Sequence, residues 1–102
     1  MEKNILIICE AGISASLLVS KILETLRERR LDYAVDYAPI SRVQEKLEFK
    51  NYDVLLLTPQ VVRHEEKIRK IIEQQKCTSK IVFIKPEDFQ YMNVEQIISD
   101  MQ

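Results

Sequence analysis

The sequence predicts an α/β protein: one open four-stranded parallel sheet in the order 2-1-3-4, with helices on both faces. Three observations carry that prediction. Short apolar runs recur four times, each too short for a core helix and rich in Ile, Val and Leu, as buried strands are. Each run is followed by a stretch with apolar residues at helical spacing. Strict alternation of strand and helix requires right-handed crossovers, and these build a parallel sheet covered on both faces. At 102 residues the chain makes one domain, residues 1–102, able to bury a single modest core.

The first strand spans residues 3–9 and contains Ile5, Leu6, Ile7 and Ile8 before Cys9. A helix follows, capped by Ser14 or Ser16 and running to about Arg30, with Leu18, Val19, Ile22, Leu23 and Leu26 as its apolar stripe. Its last turns hold Arg27, Arg29 and Arg30, cations that complement the helix dipole. The second strand is Tyr33 to Ala38, aromatic and β-branched, with Asp36 its one polar position and Pro39 its stop. Ser41 opens a short second helix with Val43 and Leu47 on one face. Residues 53–57 are the third and most apolar strand, running into Thr58, Pro59 and Gln60. A third helix takes about 61–75, with Val61, Val62, Ile68, Ile71 and Ile72 apolar. Lys80 to Ile84 is the fourth strand, Pro86 breaks the chain, and residues 87–92 are a loop or one turn. Asn93 then caps a last helix carrying Val94, Ile97, Ile98 and Met101.

A net charge of −1 implies neither nucleic acid nor a charged membrane surface as partner. The longest apolar stretches fall far short of a membrane span, and no signal peptide precedes the first strand, so the expectation is a soluble, cytoplasmic protein without direct membrane insertion. Two cysteines, Cys9 and Cys77, make no disulfide framework and fit a reducing compartment. No Cys/His cluster has metal-ligand spacing, so neither metal nor other cofactor is expected.

The strand order places a switch point between strands 1 and 3, at their carboxyl ends, where open α/β sheets bind ligands. Cys9 and its loop end strand 1, and Thr58, Pro59 and Gln60 end strand 3, so the two segments should be neighbours. The loop is Glu10, Ala11, Gly12, Ile13, Ser14, Ala15 and Ser16, and Gly12 is the only glycine of the chain. Amide N–H groups in such a loop and in the first helical turn have no intrahelical partner, and together they make an anion cradle with a thiol at its edge. A helix N-terminus and converging amides also lower a cysteine pKa, the dipole contributing roughly 0.3–1 kcal/mol. A lone cysteine at a strand end is more simply a small hydrophobe; the loop and helix that follow favour a nucleophile. Glu10 cuts the other way. Pointing inward, its carboxylate raises the pKa of the thiol; pointing outward, as alternation along a strand allows, it faces solvent.

Cysteine phosphatases of the low-molecular-weight type carry Cys, five residues, then Arg. Here the residue six after Cys9 is Ala15, and the loop holds no Arg or Lys. Without a guanidinium on the equatorial oxygens, hydrolysis loses its main electrostatic stabiliser. A phosphoryl group on Cys9 would then be cradled but not set up for attack by water, which suits a carrier. A phospho-aspartate receiver is disfavoured as well, because Asp53 sits at the start of strand 3 and Thr58 at its end.

The same residues resemble a known family. Cys9, Gly12, Ser14, Ser16, Leu17 and Leu18 match the pattern Cys-x-x-Gly-Met-Ser-Thr-Ser-Leu-Leu of the phosphocysteine loop in enzyme IIB of the lactose/cellobiose/diacetylchitobiose type. Residues 53–61 resemble that family's Asp-Val-(apolar)-Leu-Leu-Gly-Pro-Gln segment. The resemblance covers the whole chain in length and element order. It implies the fold shared by these IIB proteins and the low-molecular-weight phosphatases, and it implies a relay. A phosphohistidine on the partner IIA would donate to Cys9, and Cys9 would pass the group to a sugar, such as a β-linked disaccharide, held in the membrane permease IIC. Carried over by position, Cys9 is the nucleophile, the loop from Glu10 to Ser16 holds the phosphate, and Pro59 and Gln60 form the neighbouring wall.

The sequence departs from the family at four places. Ile13 replaces Met, Ala15 replaces Thr and removes a hydroxyl, Thr58 replaces Gly, and Glu10 puts a charge where a small or neutral residue is usual. Glu10 and Ala15 motivate the alternative of a binding or regulatory module with little transfer. Elsewhere, His64 has charged neighbours that place it on an exposed helix face, and Cys77 reads as structural. Tyr33 and Tyr37 share a strand face and read as packing residues. Arg27, Arg29, Arg30 and the group Lys67, Arg69, Lys70 read as solvated helix faces.

Overall fold

The computed structural model of the chain describes residues 3–10 and 16–101. Its strands are β1 (Lys3–Cys9), β2 (Tyr33–Pro39), β3 (Val54–Leu57) and β4 (Lys80–Phe83). They form one parallel sheet in the order β2-β1-β3-β4. The helices are α1 (Ser16–Glu28), α2 (Val43–Phe49), α3 (Glu65–Gln74), α4 (Pro86–Gln90) and α5 (Val94–Met101). Two 3₁₀ segments, Ile40–Arg42 and Pro59–His64, lead into α2 and α3.

Strand side chains alternate between the faces of a sheet, and here each face has its own core. Ile5, Ile7 and Cys9 of β1 join Val54 and Leu56 of β3 beneath Leu18, Val19, Ile22 and Leu26 of α1 and Val94, Ile97, Ile98 and Met101 of α5. Leu6 and Ile8 join Leu55 and Leu57 on the other face, under Val43 and Leu47 of α2 and Ile68 and Ile71 of α3. Being covered on both sides explains the unbroken apolar runs of β1 and β3. It also sends Cys9 and Glu10, one residue apart, toward opposite faces.

The helix boundaries differ from the sequence reading in instructive ways. α1 stops at Glu28, two residues short of Arg30. Leu31 N–H donates to the Leu26 carbonyl and Arg30 N–H to that of Arg27, with Arg30 at φ 56°. That is a Schellman stop built without glycine. Leu23, counted in the apolar stripe, is exposed. The second strand keeps Pro39 as its last residue, tolerated because β2 is an edge strand. Ser41 lies inside the 3₁₀ turn, and α2 starts only at Val43.

The third helix shows the largest shift. Residues 59–64 are 3₁₀, and α-helix begins at Glu65. Val61 is buried and Val62 exposed, because three residues per turn put different positions inward than 3.6 do. β3 starts at Val54 rather than Asp53: Asn4 N–H donates to the Asp53 carboxylate at 2.7 Å and Asp53 N–H to Asn4 O at 2.8 Å. β4 ends at Phe83, not Ile84. Pro86 does not merely break the chain. It stands at the first turn of α4, where its missing N–H removes no helix bond. Asn93 sits just ahead of α5, with its amide donating to Asp88 Oδ1 at 3.1 Å.

Candidate functional site at the carboxyl ends of β1 and β3

Parallel pairing puts Ile8 beside Ala38 on one side and Leu57 on the other, so the ends of β1, β2 and β3 lie together. Thr58 continues the ladder. Both its N–H and its hydroxyl donate to the Ile8 carbonyl, each at 3.1 Å. The expected neighbourhood of the Cys9 and Thr58 segments is therefore observed. Thr58 is fully buried, and a buried hydroxyl without a partner would be costly. Its bond to Ile8 explains how Thr can occupy a position where the resembling family has Gly.

The Cys9 side chain is 5% exposed and packs with the α1 and α5 core. Its Sγ donates to the Ala38 carbonyl at 3.6 Å. Burial pushes the thiol up from its ordinary pKa, because the low-dielectric surroundings disfavour the thiolate; a backbone hydrogen bond at Cys9 itself pulls part of the way back. The lowered pKa expected from the helix N-terminus is thus reversed, with desolvation as the dominant effect. Cys77, also a free thiol, is half-buried against the other core.

Of the loop residues that the sequence singles out, Ala11, Gly12, Ile13, Ser14 and Ala15 lie outside the described residues, and so does the choice of Ser14 as cap. Ser16 is the first residue of α1. Glu10 neither turns toward the thiol nor stands free in solvent. Its carboxylate is partly buried and pairs with the Arg63 guanidinium from the 3₁₀ segment after β3. Arg63 Nε in turn donates to His64 Nε2 at 3.3 Å. His64 is half-buried at the start of α3 rather than on an open face. Sequence reasoning missed Arg63 because the segment was read as regular α-helix and Arg63 counted only among the charged neighbours of His64.

Pro59 and Gln60 follow Thr58 directly. Pro59 lines a mostly apolar cavity of about 520 Å³ with Val62, Phe83, Ile84 and Pro86. Gln60 is half-buried, and its Oε1 is buried without a hydrogen-bond partner. Tyr33 packs on the α1-side core, but Tyr37, on the same face, is exposed and lines a cavity of about 400 Å³ with Arg42 and Lys46. It is therefore not the packing residue that the spacing implied. Arg29 is not simply solvated either, since it pairs with Glu95 at the start of α5. Among the described residues no group of three or more His, Cys, Asp and Glu could hold a metal ion. No described helix is long and apolar enough to cross a membrane.

The family model for the lactose/cellobiose-specific IIB subunit of the PTS system matches residues 4–100. No match was found among curated proteins. Of solved structures, the chain is similar to the cellobiose-specific phosphotransferase IIB component protein from Borrelia burgdorferi. That match has 26% identity and a TM-score of 0.76, and covers 99% of this chain and 89% of that one. It shares its fold with the lactose-specific IIB component domain of the phosphoenolpyruvate:carbohydrate phosphotransferase system from Streptococcus pneumoniae, at 16% identity, 100% and 93% coverage and a TM-score of 0.73. With four parallel strands in the order 2-1-3-4 and a family match along almost its whole length, the chain belongs to the lactose/cellobiose-specific IIB subunits of the sugar phosphotransferase system.

Proposed function

We propose that this chain is a single-domain phosphoryl carrier, residues 1–102, working in the cytoplasm, with Cys9 as the residue that carries the group. The observation that supports this most directly is the position of Cys9. It is the last residue of a central parallel strand, followed by a small-residue loop and then α1, inside a chain matched by the IIB family from residue 4 to 100. In the first half-reaction the S–P bond forms as the N–P bond of a IIA phosphohistidine breaks, and the thiol proton goes to the departing imidazole. In the second a sugar hydroxyl attacks phosphorus in the membrane component IIC. The S–P bond breaks, and the sulfur recovers a proton as the sugar oxygen loses one. The named relatives' cellobiose and lactose specificity favours a β-linked disaccharide.

In this reading the backbone from Glu10 to Ser16 cradles the phosphoryl oxygens, with the hydroxyls of Ser14 and Ser16 adding contacts. Pro59 and Gln60 form the wall across the switch point, where Gln60 Oε1 is buried without a hydrogen-bond partner. Transfer of this kind rests on positioning and charge stabilisation, so the hydroxyl lost at Ala15 weakens the cradle without removing it. No resident metal or cofactor is required. The burial of Cys9 and its raised pKa favour a second reading, a regulatory module that binds IIA but turns over little.

Intact mass decides between them. The protein is incubated with phosphoenolpyruvate, the general phosphotransferase proteins and a lactose/cellobiose-type IIA, beside Cys9→Ser. One added phosphoryl group on the wild type, absent from the variant, is the expected result. No added mass, with the same IIA phosphorylating another IIB, overturns the carrier reading. Phosphorylation without sugar phosphate in the presence of IIC favours the regulatory one.

A further inference from the structure

We propose that Arg63 is a positioning residue for the chemistry at Cys9: it holds the Glu10 carboxylate on the α3 side of the sheet and cancels its charge, so that a dianionic phosphoryl group can be accepted next door. The proposal rests on Cys9 being the carrier. Its starting point is an electrostatic conflict. Glu10 is covalently adjacent to Cys9, and a carboxylate near a thiol opposes both its ionisation and the arrival of phosphate. Parity along β1 sends Glu10 toward the face where Val61, from the segment Pro59–His64, packs. Arg63 meets it there.

The neighbouring charges are engaged differently. Arg42, beside the end of β2, is held bidentate by Glu45. Glu65 of α3 binds Arg69. Lys46 lines the cavity beside β2 and Lys85 the one beside β4. His64 accepts from Arg63 Nε, leaving the terminal guanidinium nitrogen to Glu10. Arg63 is thus the cation that the fold brings to Glu10.

The test is a double-mutant cycle on thiol reactivity, in a Cys77→Ser background so that one thiol remains. Iodoacetamide labelling is followed by intact mass against pH. Arg63→Ala is expected to move the labelling midpoint of Cys9 upward and to slow labelling at fixed pH about 3- to 10-fold. Glu10→Gln labels at least as fast as wild type, and adding Arg63→Ala to it changes nothing further. The Arg63→Ala effect shrinks in 0.5 M salt, as a charge effect should. An unmoved midpoint in Arg63→Ala, or the same shift with and without Glu10, overturns the proposal; urea midpoints of each variant identify any that has simply lost stability.

Transfer supplies the second arm. Acceptance from phosphorylated IIA slows in Arg63→Ala and recovers when Glu10→Gln is added. A transfer rate indifferent to Arg63 also overturns the proposal, even with a labelling shift. If the wild type accepts no phosphoryl group, the carrier reading fails, whereas the labelling cycle still decides whether Arg63 shields the thiol.

Discussion

At the Cys9 thiol, losing a proton means placing a negative charge among Leu18, Val19 and the strand backbone, where water is nearly excluded. The folded state therefore holds that proton more tightly than the unfolded chain does. Because the folded pKa is the higher one, the stability tied to this proton is fully present below the ordinary thiol pKa. It is lost as pH rises through that range toward the folded value. Urea midpoints at pH 7 and pH 10 should fall further for the wild type than for Cys9→Ala. Tyr52 acts with the same sign. Burial, then its hydrogen bond to Asp36 and the Asp36 charge, all raise its phenol above the ordinary range. That bond spans 2.6 Å, and a hydrogen bond to a carboxylate contributes about 1.5–3 kcal/mol. Tyr52→Phe is expected to lose an amount of that order, read from denaturant unfolding at neutral pH. Neither effect was legible beforehand. The sequence places Cys9 at a strand end, but which of dipole and desolvation dominates depends on how deeply α1 and α5 cover it.

Helix ends tell a related story one level up. Among the described residues, three other than glycine have positive φ: Arg30, Lys76 and Met92. Each stands at the left-handed position of the same stop. Beside the pair already described for α1, Cys77 N–H donates to Ile72 O and Lys76 N–H to Glu73 O. Asn93 N–H donates to Asp88 O and Met92 N–H to Phe89 O. A side chain at this position costs about 1–2 kcal/mol relative to glycine. Arg30→Gly and Lys76→Gly are each expected to stabilise the fold by about 0.5–1 kcal/mol, after the entropy of a freer unfolded chain is set against that relief. Met92→Gly should gain nothing, because Met92 also packs against the α1 and α5 core. Thermal unfolding of the three variants separates the cases. These stops explain why helix ends were misplaced by a residue or two: the usual signal is a glycine, and none of the three carries it. The helices themselves were legible, because Ile22, Leu47, Ile68 and Ile98 mark their buried faces at the right spacing.

For the molecule as a whole, the sheet was the most readable feature, and β1 and β3 are the reason. Ile5 to Ile8 and Leu55 to Leu57 are all fully buried, and only a strand sandwiched between two helical layers asks for such runs. Topology followed from alternation and handedness, and the switch point from topology. What stayed hidden was the pairing of Glu10 with Arg63, which depends on a 3₁₀ segment that no hydrophobic period announces. The central strands also set the stability. A domain of this size is stable by about 5–15 kcal/mol, and truncating a buried leucine costs about 2–5 kcal/mol. Leu56→Ala should thus remove a large share of the total, whereas Leu17→Ala, on the exposed side of α1, should stay within about 0.5 kcal/mol.

Thr58 carries a consequence for motion. With two donors closing on one carbonyl of β1, the junction of the two central strands is sewn shut beside the cysteine. Deuterium should enter the Thr58 amide only when the whole domain unfolds, at a rate set by global stability. The paired ends of β1 and β3 act as a fixed anvil, and a Thr58→Val exchange, by cutting one stitch, should be the change that lets isotope in early.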